Sequence, residues 1–111
     1  MINAITRSLK TALFAASVVV CSGSADAQSP SAQRGRTFVL ANCAGCHSVD
    51  KVSPSPLAIA PPFRTLHLKY PVENLEESLS EGIVTGHPTM PQFKLDPGQI
   101  GDVIAYLKSL E

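Results

Sequence analysis

The chain has 111 residues, which allows one domain at most, and its nine basic and nine acidic side chains leave no net charge. Nothing in that balance offers nucleic acid a basic surface. A domain this small buries a thin core and often needs a staple or a cofactor to hold together.

In chain order, Arg7 and Lys10 precede an apolar run over residues 11–20 that includes Leu13, Phe14, Val18, Val19 and Val20. Ala25, Asp26 and Ala27 then have the small-x-small form of a cleavage site. A basic start, an apolar stretch shorter than a bilayer span and a small-residue exit predict a secretory signal peptide over residues 1–27. The expected location is the periplasm, with no stable membrane span once the signal is removed. An uncleaved anchor helix is the alternative, and the run is short for one. A lipoprotein acylated at Cys21 is another, disfavoured by the bulk of Val20 before it.

Cleavage there leaves about 84 residues, slightly acidic, with Cys43 and Cys46 as their two cysteines. Residues 28–34 read as a polar linker and 35–111 as the folded domain. A first helix is expected from about residue 32 to residue 42, with Ser31 able to cap it. Residues 43–47 form a compact turn around Gly45. Pro54, Pro56, Pro61 and Pro62 make residues 51–62 an extended loop. A second helix is expected over residues 71–81, with Val72, Leu75 and Leu79 on one face, Glu73, Glu76, Glu77 and Glu81 facing water, and Gly82 as its stop. Residues 84–91 contain Gly86, Pro88 and Pro91 and cannot be helical. The last helix has Asp96 as cap, Pro97 in first position and Gln99 to complete a capping box. Ile100, Val103, Ile104 and Leu107 follow the spacing of a buried face. With no strand pattern of any length, the fold class is all-α.

Cys43, Ala44, Gly45, Cys46 and His47 form a C-x-x-C-H motif, the attachment signature of c-type haem. Each thiol adds to one porphyrin vinyl group, and two intervening residues set the sulfurs at the vinyl separation. His47 then falls under the iron, where a neutral imidazole can ligate it. Competing readings of C-x-x-C lack their context. A thioredoxin-like pair wants strands, zinc wants four ligands, and a disulfide over two residues is strained. The expected cofactor is one haem c, bound through two thioethers.

The sixth iron position separates electron transfer from ligand chemistry. Met90 is the methionine that remains beyond the signal, and it sits in an irregular proline-rich stretch instead of on an apolar helix face. His87 and His67 are rival ligands, and an open site is a further alternative. A thioether favours the ferrous state relative to imidazole, and an apolar pocket disfavours the ferric charge. Both raise the reduction potential. Two protein ligands suit an electron carrier, not an enzyme. The alternative function is a ligand-binding haem protein with a labile or open sixth site.

These features resemble class I cytochrome c, the small helical single-haem family, over residues 35–110. The resemblance rests on a helix running into Cys43, Cys46 and His47, a proline loop, Met90 before Pro91, and a final helix carrying Asp102, Val103, Ile104, Ala105, Tyr106 and Leu107. It implies three to four short helices wrapped around one haem, with His47 and Met90 as metal ligands. It implies redox partners such as an oxidase, a dehydrogenase or a cytochrome complex. It makes Gly35 the close-approach point of the first and last helices, near Val103 and Tyr106. Where the family has an aromatic residue four positions before the first cysteine, Val39 stands here with Phe38 one earlier, so that contact is expected to be repacked. The resemblance also implies a proline carbonyl accepting the His47 Nδ1 proton, with Pro61 the better match and Pro62 equally simple by spacing. Phe63 would pack on the haem, and Arg64, His67, Lys69 and Tyr70 would be available to its propionates. The lysine ring of mitochondrial-type relatives is absent, which implies weaker electrostatic steering.

Overall fold

The structure, a computed structural model, describes residues 14–20, 22–23, 28–83 and 89–111. Arg7, Lys10, Cys21, Ala25, Asp26, Ala27 and His87 lie outside them, and with them parts of the signal, lipidation and sixth-ligand readings. Residues 14–20 form no regular element and are exposed. Among the described residues, no helix is long and apolar enough to cross a membrane.

Three α-helices and two short 3-10 helices are present among the described residues, with no strand. Helix α1 spans Pro30–Asn42, α2 spans Leu75–Glu81 and α3 spans Pro97–Lys108. The 3-10 helices cover Phe63–Leu68 and Val72–Asn74. Helix α1 starts earlier than the sequence suggests, inside the expected linker. Ser29, not Ser31, caps it, its Oγ accepting from the Ala32 N–H at 3.1 Å. Pro30 tolerates the first helical position because its missing N–H would have no partner there. Ser31 is thereby released to donate to Asp102 Oδ1 across the helix pair at 2.6 Å.

The second helix differs as well. Pro71 stays extended, residues 72–74 close as a 3-10 turn, and the α-helix begins only at Leu75. The tighter turn sets Val72 into the core, where it is 1% exposed. Gly82 ends α2 at φ 103°, a left-handed conformation that side chains with a Cβ resist. Helix α3 follows its sequence signals closely. Asp96 and Gln99 form the reciprocal capping box, Pro97 is first, and Ile100, Val103, Ile104 and Leu107 are all buried.

Helices α1 and α3 form the main packing pair. Gly35 is buried where they cross, under the Asp102 carbonyl and the Tyr106 Cβ. Val39 is fully buried in the resulting core, and Phe38 packs against it. The aromatic contact is thus supplied from α3 by Tyr106, while a β-branched residue fills α1's side. Arg34 joins the helices from outside, with Nε and Nη2 each 2.8 Å from the Asp102 carboxylate. Lys108 pairs with Glu73, fastening α3 to the 72–74 turn. Exposed ion pairs stabilise little, whereas each fully buried aliphatic side chain contributes about 1.5–3 kcal/mol.

Candidate functional site

The end of α1 delivers the cysteines. Cys43 N–H still donates to the Val39 carbonyl at 2.8 Å, closing the last helical turn. The chain then folds back on itself, as Cys46 and His47 N–H groups both donate to the Cys43 carbonyl, at 3.2 and 3.0 Å. A Cβ added at Gly45 would meet nothing within 4 Å, while Cys43 and Ala44 of the same turn pack against the core. Cys43 and Cys46 are unbridged. Burial pushes the Cys43 thiol up to about 11, the reverse of the lowered pKa that a thioredoxin-like nucleophile needs.

His47 is buried, and its Nδ1 lies 2.8 Å from the Pro61 carbonyl oxygen. A carbonyl can only accept, so Nδ1 carries the proton and Nε2 keeps its lone pair for another partner. Of the two candidate prolines, Pro61 is therefore the one at His47. The Pro62 carbonyl is engaged elsewhere, accepting from the Thr65 N–H at 3.0 Å and from Thr65 Oγ1 at 2.7 Å. Phe63 leans on the imidazole, with ring centroids 4.9 Å apart and planes tilted by 38°.

Two adjoining cavities open beside this group, of about 240 and 110 Å³. Cys43, His47, Phe63, Met90 and Phe93 line both. Pro61 lines the larger one and Cys46 the smaller. Met90 arrives on the segment after α2. Ile83 N–H donates to the Phe93 carbonyl at 3.1 Å, and Leu95 N–H to the Leu79 carbonyl at 2.8 Å. Those bonds lay residues 91–95 back along the end of α2 and bring Met90 to the cavity wall. The remainder of the larger wall is apolar side chain from α1, α2 and α3, with Leu66, Ile83 and Leu95 from the segments between them, and Tyr70.

The donor set suits an iron porphyrin. It offers two thiols, an imidazole with one nitrogen engaged and a thioether, around an apolar hollow in an otherwise thin core. The sequence model of the cytochrome c family matches residues 32–111. The chain belongs to the cytochrome c family. It is 32% identical over 83 residues to a cytochrome c-553-like protein of Synechocystis sp., covering 71% of this chain and 69% of the relative. It is 30% identical over 93 residues to cytochrome c-552 of Bradyrhizobium diazoefficiens, covering 84% and 88% respectively. No solved structure matches it.

The fold is accordingly the all-α cytochrome c fold, the cofactor is one covalently attached haem c, and the activity is haem-based electron carriage between redox partners. Sequence reasoning missed Phe93, which faces the site beside Met90. A phenylalanine two residues after Met90-Pro91 was available as a signal, but no periodicity marked which way it faces. The group of residues read as propionate donors does not converge. Arg64 turns away to Ser48, Asp50 and Ser53, while His67 and Lys69 line a separate surface hollow with Glu73 and Glu111. Lys69 and Tyr70 lie beyond the end of the 3-10 helix, and hydrogen bonds to Ser48 and Ser53 draw the Arg64 side chain away from His67, so their sequence clustering carried no spatial meaning. Tyr70 alone of the four lines the cavity.

Proposed function

We propose that this cytochrome is an exported, periplasmic one-electron carrier in which His47 and Met90 hold the haem iron from opposite sides, with Cys43 and Cys46 carrying the thioethers. The observation that carries it is the sharing of one apolar cavity by Cys43, His47, Pro61 and Met90. Bound haem supplies a ferric/ferrous couple. The protein's part is to bind, orient and exclude water. The Pro61 carbonyl fixes the imidazole ring and raises its basicity. The Met90 thioether, a soft neutral donor, favours the ferrous state. The apolar wall disfavours ferric charge, so the potential is raised. With His47 and Met90 both holding the group, no ligand would have to be gained or lost with the electron. The export reading is supported by Arg7, Lys10, the apolar run and the Ala25-Asp26-Ala27 exit.

The partner surface reads as apolar. Residues 54–63 and 89–93, which flank the cavity mouth, carry no charged side chain, and Ile59 among them is 69% exposed. Docking is then brief, with weak electrostatic steering.

The test is an absorption spectrum of the holoprotein, oxidised and reduced, for wild type and Met90→Ala. Wild type should be low-spin with a sulfur-to-iron charge-transfer band, and Met90→Ala should lose that band, lower its potential and bind carbon monoxide when ferrous. A wild-type ferrous protein that binds carbon monoxide readily at neutral pH would favour the ligand-binding alternative.

A further inference from the structure

We propose that Arg64 is a positioning residue for the haem ligand, holding the Pro61 carbonyl on His47 Nδ1 and so helping to set the reduction potential. The proposal rests on the reading of His47 as an iron ligand. His47 and Pro61 are fourteen residues apart, and a loop rich in proline but poor in regular hydrogen bonds separates them. Something must keep the two ends of that loop in register. The half-buried Arg64 does so with one atom. Its Nη1 donates to the Ser53 carbonyl at 2.7 Å, to Ser48 Oγ at 3.1 Å and towards the Asp50 carbonyl at 3.5 Å.

Ser48 immediately follows His47 and is 4% exposed. Its N–H donates to Ser55 Oγ at 3.0 Å, and its carbonyl accepts from the Phe63 N–H at 2.9 Å. Arg64 thus completes a frame in which residues 48–55 and residues 61–65 are fastened to each other beside the imidazole. On the Pro61 side the chain is stiff. Pro61 and Pro62 have restricted φ, and Thr65 closes the following turn onto the Pro62 carbonyl. A stiff segment anchored three residues away transmits its anchor's position to the Pro61 carbonyl. On the other side, the Tyr106 hydroxyl of α3 donates to the Val49 carbonyl, tying the frame to the helix pair.

The consequences of losing Arg64 have opposing signs, which makes the measurement decisive. Weakening the Pro61 bond makes the imidazole less basic, stabilises the ferric state less and raises the potential. Deleting a nearby cation stabilises the ferric state and lowers the potential. All three contacts come from one nitrogen, so a lysine ammonium with its three donors can take them over.

The experiment compares holoprotein of wild type, Arg64→Met and Arg64→Lys, reading the reduction potential and the NMR resonance and solvent exchange of the His47 Nδ1 proton. Arg64→Met should raise the potential and speed that exchange about five- to tenfold, the worth of roughly one hydrogen bond, while Arg64→Lys restores both. A potential that falls in Arg64→Met with exchange unchanged leaves only the effect of charge and overturns the proposal. Should Arg64→Met fail to hold haem, Ser48→Ala removes one of the acceptors and should move both readouts the same way by less; no movement there overturns the proposal too. A wild-type protein with no iron-shifted Nδ1 proton overturns the ligation reading itself.

Discussion

Replacing Gly35 by alanine should part the two helices that carry the domain. A Cβ built on Gly35 falls 1.9 Å from the Asp102 carbonyl oxygen, 2.5 Å from its carbon and 2.9 Å from the Tyr106 Cβ. Two of these are backbone atoms of α3 and cannot rotate aside. Taking about 3.3 Å as the shortest ordinary C···O contact, the helices must separate locally by about 1.4 Å. A gap of 0.5–1 Å already forfeits about a quarter to a half of the dispersion well. The contacts of Val39 with the opposing α3 face are therefore lost together. Overpacking of this kind costs about 3 kcal/mol or more, and alanine's better helix propensity returns about 1 kcal/mol. The net loss is about 2–4 kcal/mol, or a fall in Tm of about 10–25 °C for a domain this size. Denaturant and thermal unfolding of the holoprotein, followed by circular dichroism and haem absorbance, measure it. Gly101→Ala is the control, since a Cβ there meets nothing within 4 Å and α3 should gain up to about 1 kcal/mol. A Gly35→Ala protein within about 0.5 kcal/mol of wild type would refute the close-approach argument.

The double variant Cys43→Ala/Cys46→Ala, which cannot hold haem covalently, should be largely unfolded by circular dichroism, because a hollow lined by apolar side chains from all three helices would be left unfilled. A native-like helical spectrum would contradict this. Acid should destabilise the fold in a definite window. Asp50 is held down to about 2, first by the Ser53 side chain and then by the Ser53 and Val52 N–H groups. Asp102 is also lowered, chiefly by Arg34 and then by Ser31. Both folded-state values lie below the unfolded aspartate value, so their stabilisation is complete above about pH 4 and is lost as pH falls towards about 2. Asp50→Asn should flatten the stability profile in that interval, and an unchanged profile would count against the assignment. Electron-transfer rates to a physiological partner should change little between low and moderate ionic strength, and a steep fall with salt would reveal charged docking.

Local chemistry made much of this protein legible in its sequence. The C-x-x-C-H motif names its cofactor because thiol spacing must match vinyl spacing. The cap, proline and capping-box residues of α3 announce it because each answers an unsatisfied backbone group within the same helix turn. Gly82 as the stop of α2 is legible on the same ground. Errors occurred where two local solutions competed. Ser29 and Ser31 are both capable caps, and the choice fell to the one that left Pro30 in first position and Ser31 free for Asp102. Val72 belongs to a 3-10 turn because its burial against α3, not its helical spacing, decides its conformation.

By itself, then, the amino-acid order determined the covalent chemistry, the all-helical class, the C-terminal ends of α1 and α2 and the start of α3, all of which depend on neighbours within a few residues. The tertiary structure decided which of two prolines meets His47, that Arg64 bonds to the loop at Ser48 and Ser53, that Phe93 joins Met90 at the cavity, and how Gly35 lies against Asp102. Each of these depends on groups brought together from distant parts of the chain. Directions in space at such separations are set by packing and hydrogen bonding of the whole domain, and no local spacing rule encodes them.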